Sequence, residues 1–176
     1  VQSPNDRQED DMATITFKGS EIHTSGSLPD VGAAAPAFVL TASDLSEVSG
    51  PEVGGKKHVL NIFPSLDTSV CAASVRRFNE EAAGMGNASV LCISMDLPFA
   101  QARFCGAEGL ENVTTLSAFR HSEFGSNYGV DIVDGPLAGL LARAVVVVNE
   151  KGEVVHTELV QEIAQEPDYE CALKAL

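Results

Sequence analysis

The chain has 176 residues, 44% of them hydrophobic, which predicts one domain with a core large enough to fold without disulfide staples. Its formal net charge of −14 argues against nucleic acid and against the anionic surface of a cytoplasmic membrane leaflet as partners. The most apolar stretch, 135–148, contains Arg143 and is too short to cross a bilayer.

The first eleven residues, VQSPNDRQEDD, are polar and acidic and precede Met12. They read as a disordered tail, or as a leader upstream of a start at Met12, beside a single domain over 12–176. No secretory signal is visible in them. That favours a reducing cytoplasm, where a cysteine is more often reactive than bridged.

Thr14–Phe17 and residues 21–24 are short β-prone runs around Gly19-Ser20, a hairpin signal. The apolar triplet Phe38-Val39-Leu40 follows a Gly/Ala/Pro segment, and residues 49–55 read as a loop. The run HVLNIF at 58–63 suits a strand buried on both faces. Pro64 ends it. From Ser69 the pattern is helical, with Val70, Val75 and Phe78 at helical spacing and Gly84 and Gly86 as stops. SVLCISM at 89–95 is a second buried strand. Residues 99–104 form a short helix that Gly106 closes, and residues 113–116 a third strand. AVVVV after Arg143 begins another, residues 149–152 turn, and residues 153–159 return. Pro167 opens a last helix. Alternating strands and helices closed by a hairpin predict an α/β fold with a mixed central sheet.

The informative segment is Pro64-Ser65-Leu66-Asp67-Thr68-Ser69-Val70-Cys71. A strand ends, a proline breaks it, and a helix begins with a cysteine in its first turn. Thr68 is a good N-cap, with Asp67 as a competitor. With Thr68 as the cap, Cys71 is the third helical residue, among unpaired backbone N–H groups at the positive end of the helix dipole. Both favour a thiolate over a thiol.

Pro64-x-x-x-Thr68-x-x-Cys71 resembles the peroxiredoxin active-site pattern. NIFPSLDTSVCAASVRRF at 61–78, DLPFAQARFCGAEGL at 96–110 and DGPLAGLLARAVVVV at 134–148 are similar to the bacterial thiol peroxidases of that class. The resemblance covers about 12–176. It implies a thioredoxin-like fold and reduction of hydroperoxides by a cysteine pair without a cofactor. Carried over residue by residue, Cys71 is the peroxidatic cysteine, converted to a sulfenic acid. Thr68 bonds the thiolate or the peroxide oxygen, Pro64 shields the sulfur, and Arg143 stabilises the charge on the leaving oxygen. Cys105, 34 residues further on, is the resolving cysteine. The pair has to approach to about 7 Å between Cα atoms to form a disulfide, so local unwinding is expected. Gly106 beside Cys105 eases fraying at that helix end. The resemblance further implies thioredoxin as reductant, alkyl or lipid hydroperoxides beside hydrogen peroxide as substrates, and a homodimer.

Cys92, mid-strand in an apolar run, reads as a packing residue. Cys171 reads as a packing residue or a free surface thiol. His23, His58, His121 and His156 are scattered without metal-ligand spacing. Two other uses of Cys71 stand beside the peroxidase: a non-catalytic redox sensor switching by the same cysteine pair, and, more weakly, a cysteine hydrolase with a distant histidine base.

Overall fold

The computed structural model describes residues 12–51 and 55–176. Residues 1–11, read above as a tail or leader, lie outside them. The described elements in chain order are β1 (Thr14–Phe17), β2 (Ser20–His23), β3 (Phe38–Ala42), β4 (Glu47–Gly50), β5 (Lys57–Ile62), α1 (Ser69–Ala82), β6 (Ala88–Ser94), α2 (Pro98–Glu108), β7 (Val113–Ser117), α3 (Glu123–Tyr128), β8 (Ala144–Val148), β9 (Val154–Leu159) and α4 (Tyr169–Lys174). β1 and β2 form the expected antiparallel hairpin. The other seven strands make one sheet in the order β4-β3-β7-β6-β5-β8-β9. β5, β6 and β7 run parallel, whereas β8 is antiparallel to β5 and β3 to β7. The mixed α/β sheet with an N-terminal hairpin is therefore as the sequence predicts.

The central strands are largely apolar because both sheet faces are covered. Side chains alternate across a strand. Val59, Val90, Cys92, Val145 and Val147 pack under α1 and α4, together with Val75, Phe78 and Ala172. Leu60, Ile62, Leu91, Ile93, Val146 and Val148 point the other way, into a core shared with Ile15, Ile22 and α3. Because β5, β6 and β7 are parallel, their C-terminal ends lie along one edge of the sheet. The segments that follow them gather there, the usual location of a site in such sheets.

Four expectations change. Ser49 and Gly50, read as loop, belong to β4, where Gly50 stands opposite Phe38. A Cβ on Gly50 would lie 2.7 Å from the Phe38 ring, so this glycine admits the aromatic side chain and does not mark a turn. Residues 52–54 of the expected loop lie outside the described residues. The helix expected to close at Gly106 continues to Glu108, and Gly109, at φ 66°, ends it with its N–H on the Cys105 carbonyl. Pro167 precedes the last helix instead of opening it, and Asp168 caps that helix by accepting from the Cys171 N–H at 3.0 Å. α3 has no counterpart in the sequence reading. Its Phe124 and Tyr128 fill the core edge-on to Phe38, with ring centroids 5.5 and 6.2 Å away.

Gly106 thus lies inside α2, and a Cβ there would meet nothing within 4 Å. Gly106→Ala is expected to stabilise the protein by about 0.5–1 kcal/mol, the ordinary helix-interior penalty of glycine. Urea denaturation reads this directly, and a lower midpoint for the alanine variant would contradict it.

Candidate active site

The site begins where β5 stops. The Phe63 N–H still donates to the Ile93 carbonyl at 3.1 Å, but the buried Pro64 has no N–H to extend the ladder. The chain then turns through Ser65, whose carbonyl accepts both the Thr68 N–H (3.1 Å) and the Thr68 hydroxyl (3.0 Å). Thr68 occupies the N-cap position with extended backbone (φ −104°, ψ 143°), yet its hydroxyl makes no capping bond. The helix start is where the sequence predicts. The hydroxyl, expected to cap, is held by the turn instead.

Cys71 is the third residue of α1 and is fully buried. Arg143 reaches it from the residue before β8. The β5–β8 register pairs Ile62 with Ala144, so the segment leaving β5 and the residue entering β8 meet at one end of the sheet. This brings together residues 72 positions apart: Arg143 Nη2 donates to Cys71 Sγ at 3.3 Å. Arg143 Nε donates to the Ile163 carbonyl at 2.9 Å, which fixes the plane of the guanidinium. Arg143 is 2% exposed, and its Nη1 is buried with no hydrogen-bond partner in the protein. A dry cation with a free donor beside a sulfur suits a reaction in which negative charge develops on an oxygen.

A cavity of about 290 Å³ opens at this point, lined by Phe17, Pro64, Thr68, Leu137, Leu140 and Arg143 among others. Apart from Arg143 and Thr68, these six are apolar. Hollows of about 400 and 460 Å³ lie beside β4 and between Lys57 and the last residues. They are larger, but neither is lined by Arg143 or by any residue of the Pro64–Cys71 segment.

Cys105 sits half-buried on α2 as a free thiol, unlinked to Cys71. Burial pushes its thiol up, partly offset by a hydrogen bond with Thr115. α1 and α2 are tied side by side. Arg76 makes a two-pronged contact with Glu108 at 2.7 and 2.9 Å, holding that carboxyl below its ordinary range. Arg103 approaches Asp67 at 3.5 Å. α2 buries only Pro98 and Gln101 fully, so it is anchored lightly.

Cys92 is fully buried on β6, where desolvation pushes its thiol up to about 12; this is the packing role read from the sequence. Cys171 is exposed, and its bond with Asp168 raises its thiol above the ordinary value. Three histidines are engaged apart from the site: His23 with Asp134 at 2.6 Å, His58 with Ser89 at 2.7 Å and His121 with Thr41 at 3.2 Å.

Sequence reasoning missed two groups. Asn61 Nδ2 donates to Ser74 Oγ at 3.3 Å, and Ser74 Oγ donates to the Cys71 carbonyl at 2.8 Å, a buried tie between β5 and the first turns of α1. Asp96, just beyond β6, accepts hydrogen bonds from the active-site turn. Its partners come from 30 residues away, and the one local signal is an acidic residue directly after a buried strand.

A family model described as Redoxin matches residues 30–173. A thiol peroxidase of Mycobacterium tuberculosis is 63% identical over 165 residues, covering 94% of this chain and 99% of that protein. The crystal structure of a peroxiredoxin-like protein from Aquifex aeolicus superposes with a TM-score of 0.88 at 41% identity, covering 94% of this chain and 97% of its own. A thiol peroxidase from Chromobacterium violaceum has the same fold, with a TM-score of 0.84 at 20% identity over 92% of this chain and 93% of its own.

Proposed function

The chain belongs to the redoxin family and is a thiol-dependent peroxidase of the peroxiredoxin class with a thioredoxin-like fold, and on that premise we propose that Cys71 is its attacking sulfur and Cys105 the resolving one. The observation that carries this reading is the 3.3 Å contact between Arg143 and Cys71 at the start of α1. The Cys71 thiolate attacks the terminal oxygen of a hydroperoxide. The O–O bond breaks, the sulfur becomes a sulfenic acid, and the departing alkoxide takes a proton to leave as the alcohol. The free Nη1 of Arg143 is available to the oxygen on which charge develops. Pro64 keeps water from the sulfur, and Thr68, whose hydroxyl can rotate away from Ser65, bonds the bound peroxide.

The Cys105 thiol then displaces water from the sulfenic acid, forming a Cys71–Cys105 disulfide. A dithiol of thioredoxin reduces this by exchange. Because Cys71 is buried under a wound helix, closing the bridge requires the first turn of α1 to open, and the lightly anchored α2 moves to meet it. The apolar cavity favours alkyl and lipid hydroperoxides beside hydrogen peroxide. Exposed Leu97, Phe99 and Phe119 near the same edge suit a homodimer that packs close to the site. No helix among the described residues is long and apolar enough to cross a membrane, and work in the cytoplasm accords with free cysteines.

The test is a peroxidase assay coupled to thioredoxin, with wild type, Cys71→Ser and Cys105→Ser compared directly. Cys71→Ser is expected to lose turnover with every thiol donor. Cys105→Ser should lose turnover with thioredoxin while still reacting once with peroxide, and should form sulfinic acid at lower peroxide than wild type. Near-normal turnover in Cys71→Ser would end the proposal. A single turnover in the wild type, with none thereafter, would favour a redox sensor instead.

A further inference from the structure

Asp96 stands half-buried two residues beyond the end of β6, at the edge where the parallel strands end. Its Oδ1 accepts the Ser65 hydroxyl at 2.7 Å. Its Oδ2 accepts the Leu66 N–H at 2.8 Å and the Ser94 hydroxyl at 2.7 Å. One carboxylate therefore receives three donors, two of them from the turn between Pro64 and Thr68. Ser65 passes the constraint on, since its carbonyl holds both the N–H and the hydroxyl of Thr68. On its other side, Asp96 is one residue before Leu97, the N-cap of α2, the helix that carries Cys105. Its own carbonyl is held by the Ser117 hydroxyl. The same residue thus touches the entry of both cysteine-bearing helices.

We propose that Asp96 is a positioning residue that latches the Pro64–Thr68 turn, holding α1 wound with Cys71 against Arg143, and that releasing this latch accompanies disulfide closure. The proposal rests on the reading of Cys71 as the attacking sulfur. Bonds to a carboxylate are stronger than those between neutral groups, so the three bonds to Asp96 favour the wound form. An amide at this position has nearly the same volume but only one accepting atom. Its oxygen would keep the Leu66 N–H and the Ser94 hydroxyl, its NH₂ group would take the place of Oδ1 against the Ser65 hydroxyl, and the charge assistance to all three bonds would be lost, which penalises the wound form. The reaction with peroxide needs the wound form, and bridging to Cys105 needs the open one. Loosening the latch therefore slows the first step and speeds the second.

The experiment is quenched-flow mass spectrometry of the full chain, which follows Cys71 as thiol, trapped sulfenic acid, disulfide and sulfinic acid after mixing with hydrogen peroxide. Such a direct readout is needed because the chain contains no tryptophan to report by fluorescence. Asp96→Asn is expected to slow sulfenic acid formation about tenfold, the effect of losing roughly one charge-assisted bond. It should also lower the sulfinic fraction formed per turnover. Ser65→Ala removes one donor and should move both quantities in the same directions by less. If Asp96→Asn does not fold, Ser65→Ala decides alone. Equal slowing of both steps in a folded variant, the mark of a general structural role, overturns the latch, and so does no change in either step. Persisting turnover in Cys71→Ser overturns the premise and the latch together, so the two failures are distinguishable.

Discussion

Arg143→Met is expected to slow the reaction of Cys71 with hydrogen peroxide by roughly 100- to 1000-fold, the size seen when one donor to a developing oxyanion is removed. Methionine fills similar space with an unbranched, adaptable chain, so the cavity wall and the β5–β8 junction keep their shape. Three things are lost together: the Nη2 contact with Cys71 at 3.3 Å, the Nε bond that orients it on Ile163, and the unpartnered Nη1. Arg143→Lys should recover little of this. A single ammonium cannot hold the Ile163 carbonyl and still present two directed donors to sulfur and oxygen. Rates from competition with a second peroxidase at known peroxide give the measurement. A methionine variant within a few-fold of wild type would leave Arg143 a packing role only.

Phe78→Ala is expected to destabilise the protein by about 3–5 kcal/mol, the range for emptying a buried phenylalanine site. Phe78 is fully buried between α1 and the sheet and meets the Tyr169 ring edge-on at 5.2 Å. It joins the helix that carries Cys71 to both the sheet and α4. Out of a total that is typically about 5–15 kcal/mol, that loss leaves a marginal fold. Denaturation in urea, with an unchanged slope, reads the difference. A loss below about 1 kcal/mol would mean that α1 closes over the void, and the Cys71–Arg143 geometry would then be the next quantity to examine.

Legibility in the sequence followed burial. β5, β6 and β8 are covered on both faces, so they stand out as nearly continuous apolar runs, and their positions are within a residue or two of expectation. The helix start at Cys71 was equally plain, because strand end, proline and cap residue are adjacent in the chain. β4 was hidden, since an edge strand with alternating exposed residues and a terminal Gly-Pro looks like a loop. α2 was misjudged in length because it lies largely exposed and a glycine in its interior looked like a stop. The site was legible where its parts are neighbours in sequence and opaque where the sheet assembles them. Nothing near Asp96 announces Ser65 and Leu66 as its partners, and nothing near Thr68 announces that the Ser65 carbonyl claims its hydroxyl. Arg143 was found through resemblance; the β5–β8 register supplies the physical reason for its place.

A guanidinium kept dry, with one donor unanswered by the protein, is a standing burden on the resting fold. On the role proposed for Arg143, stability and turnover pull in opposite directions at position 143. A library of variants screened for heat resistance alone, with no oxidant in the medium, should enrich apolar residues there. The same library grown under peroxide should retain arginine and gather its compensating substitutions elsewhere, in the β8 surroundings and beneath α4. Comparing the two enriched pools would separate what this fold needs to stand from what it needs to work.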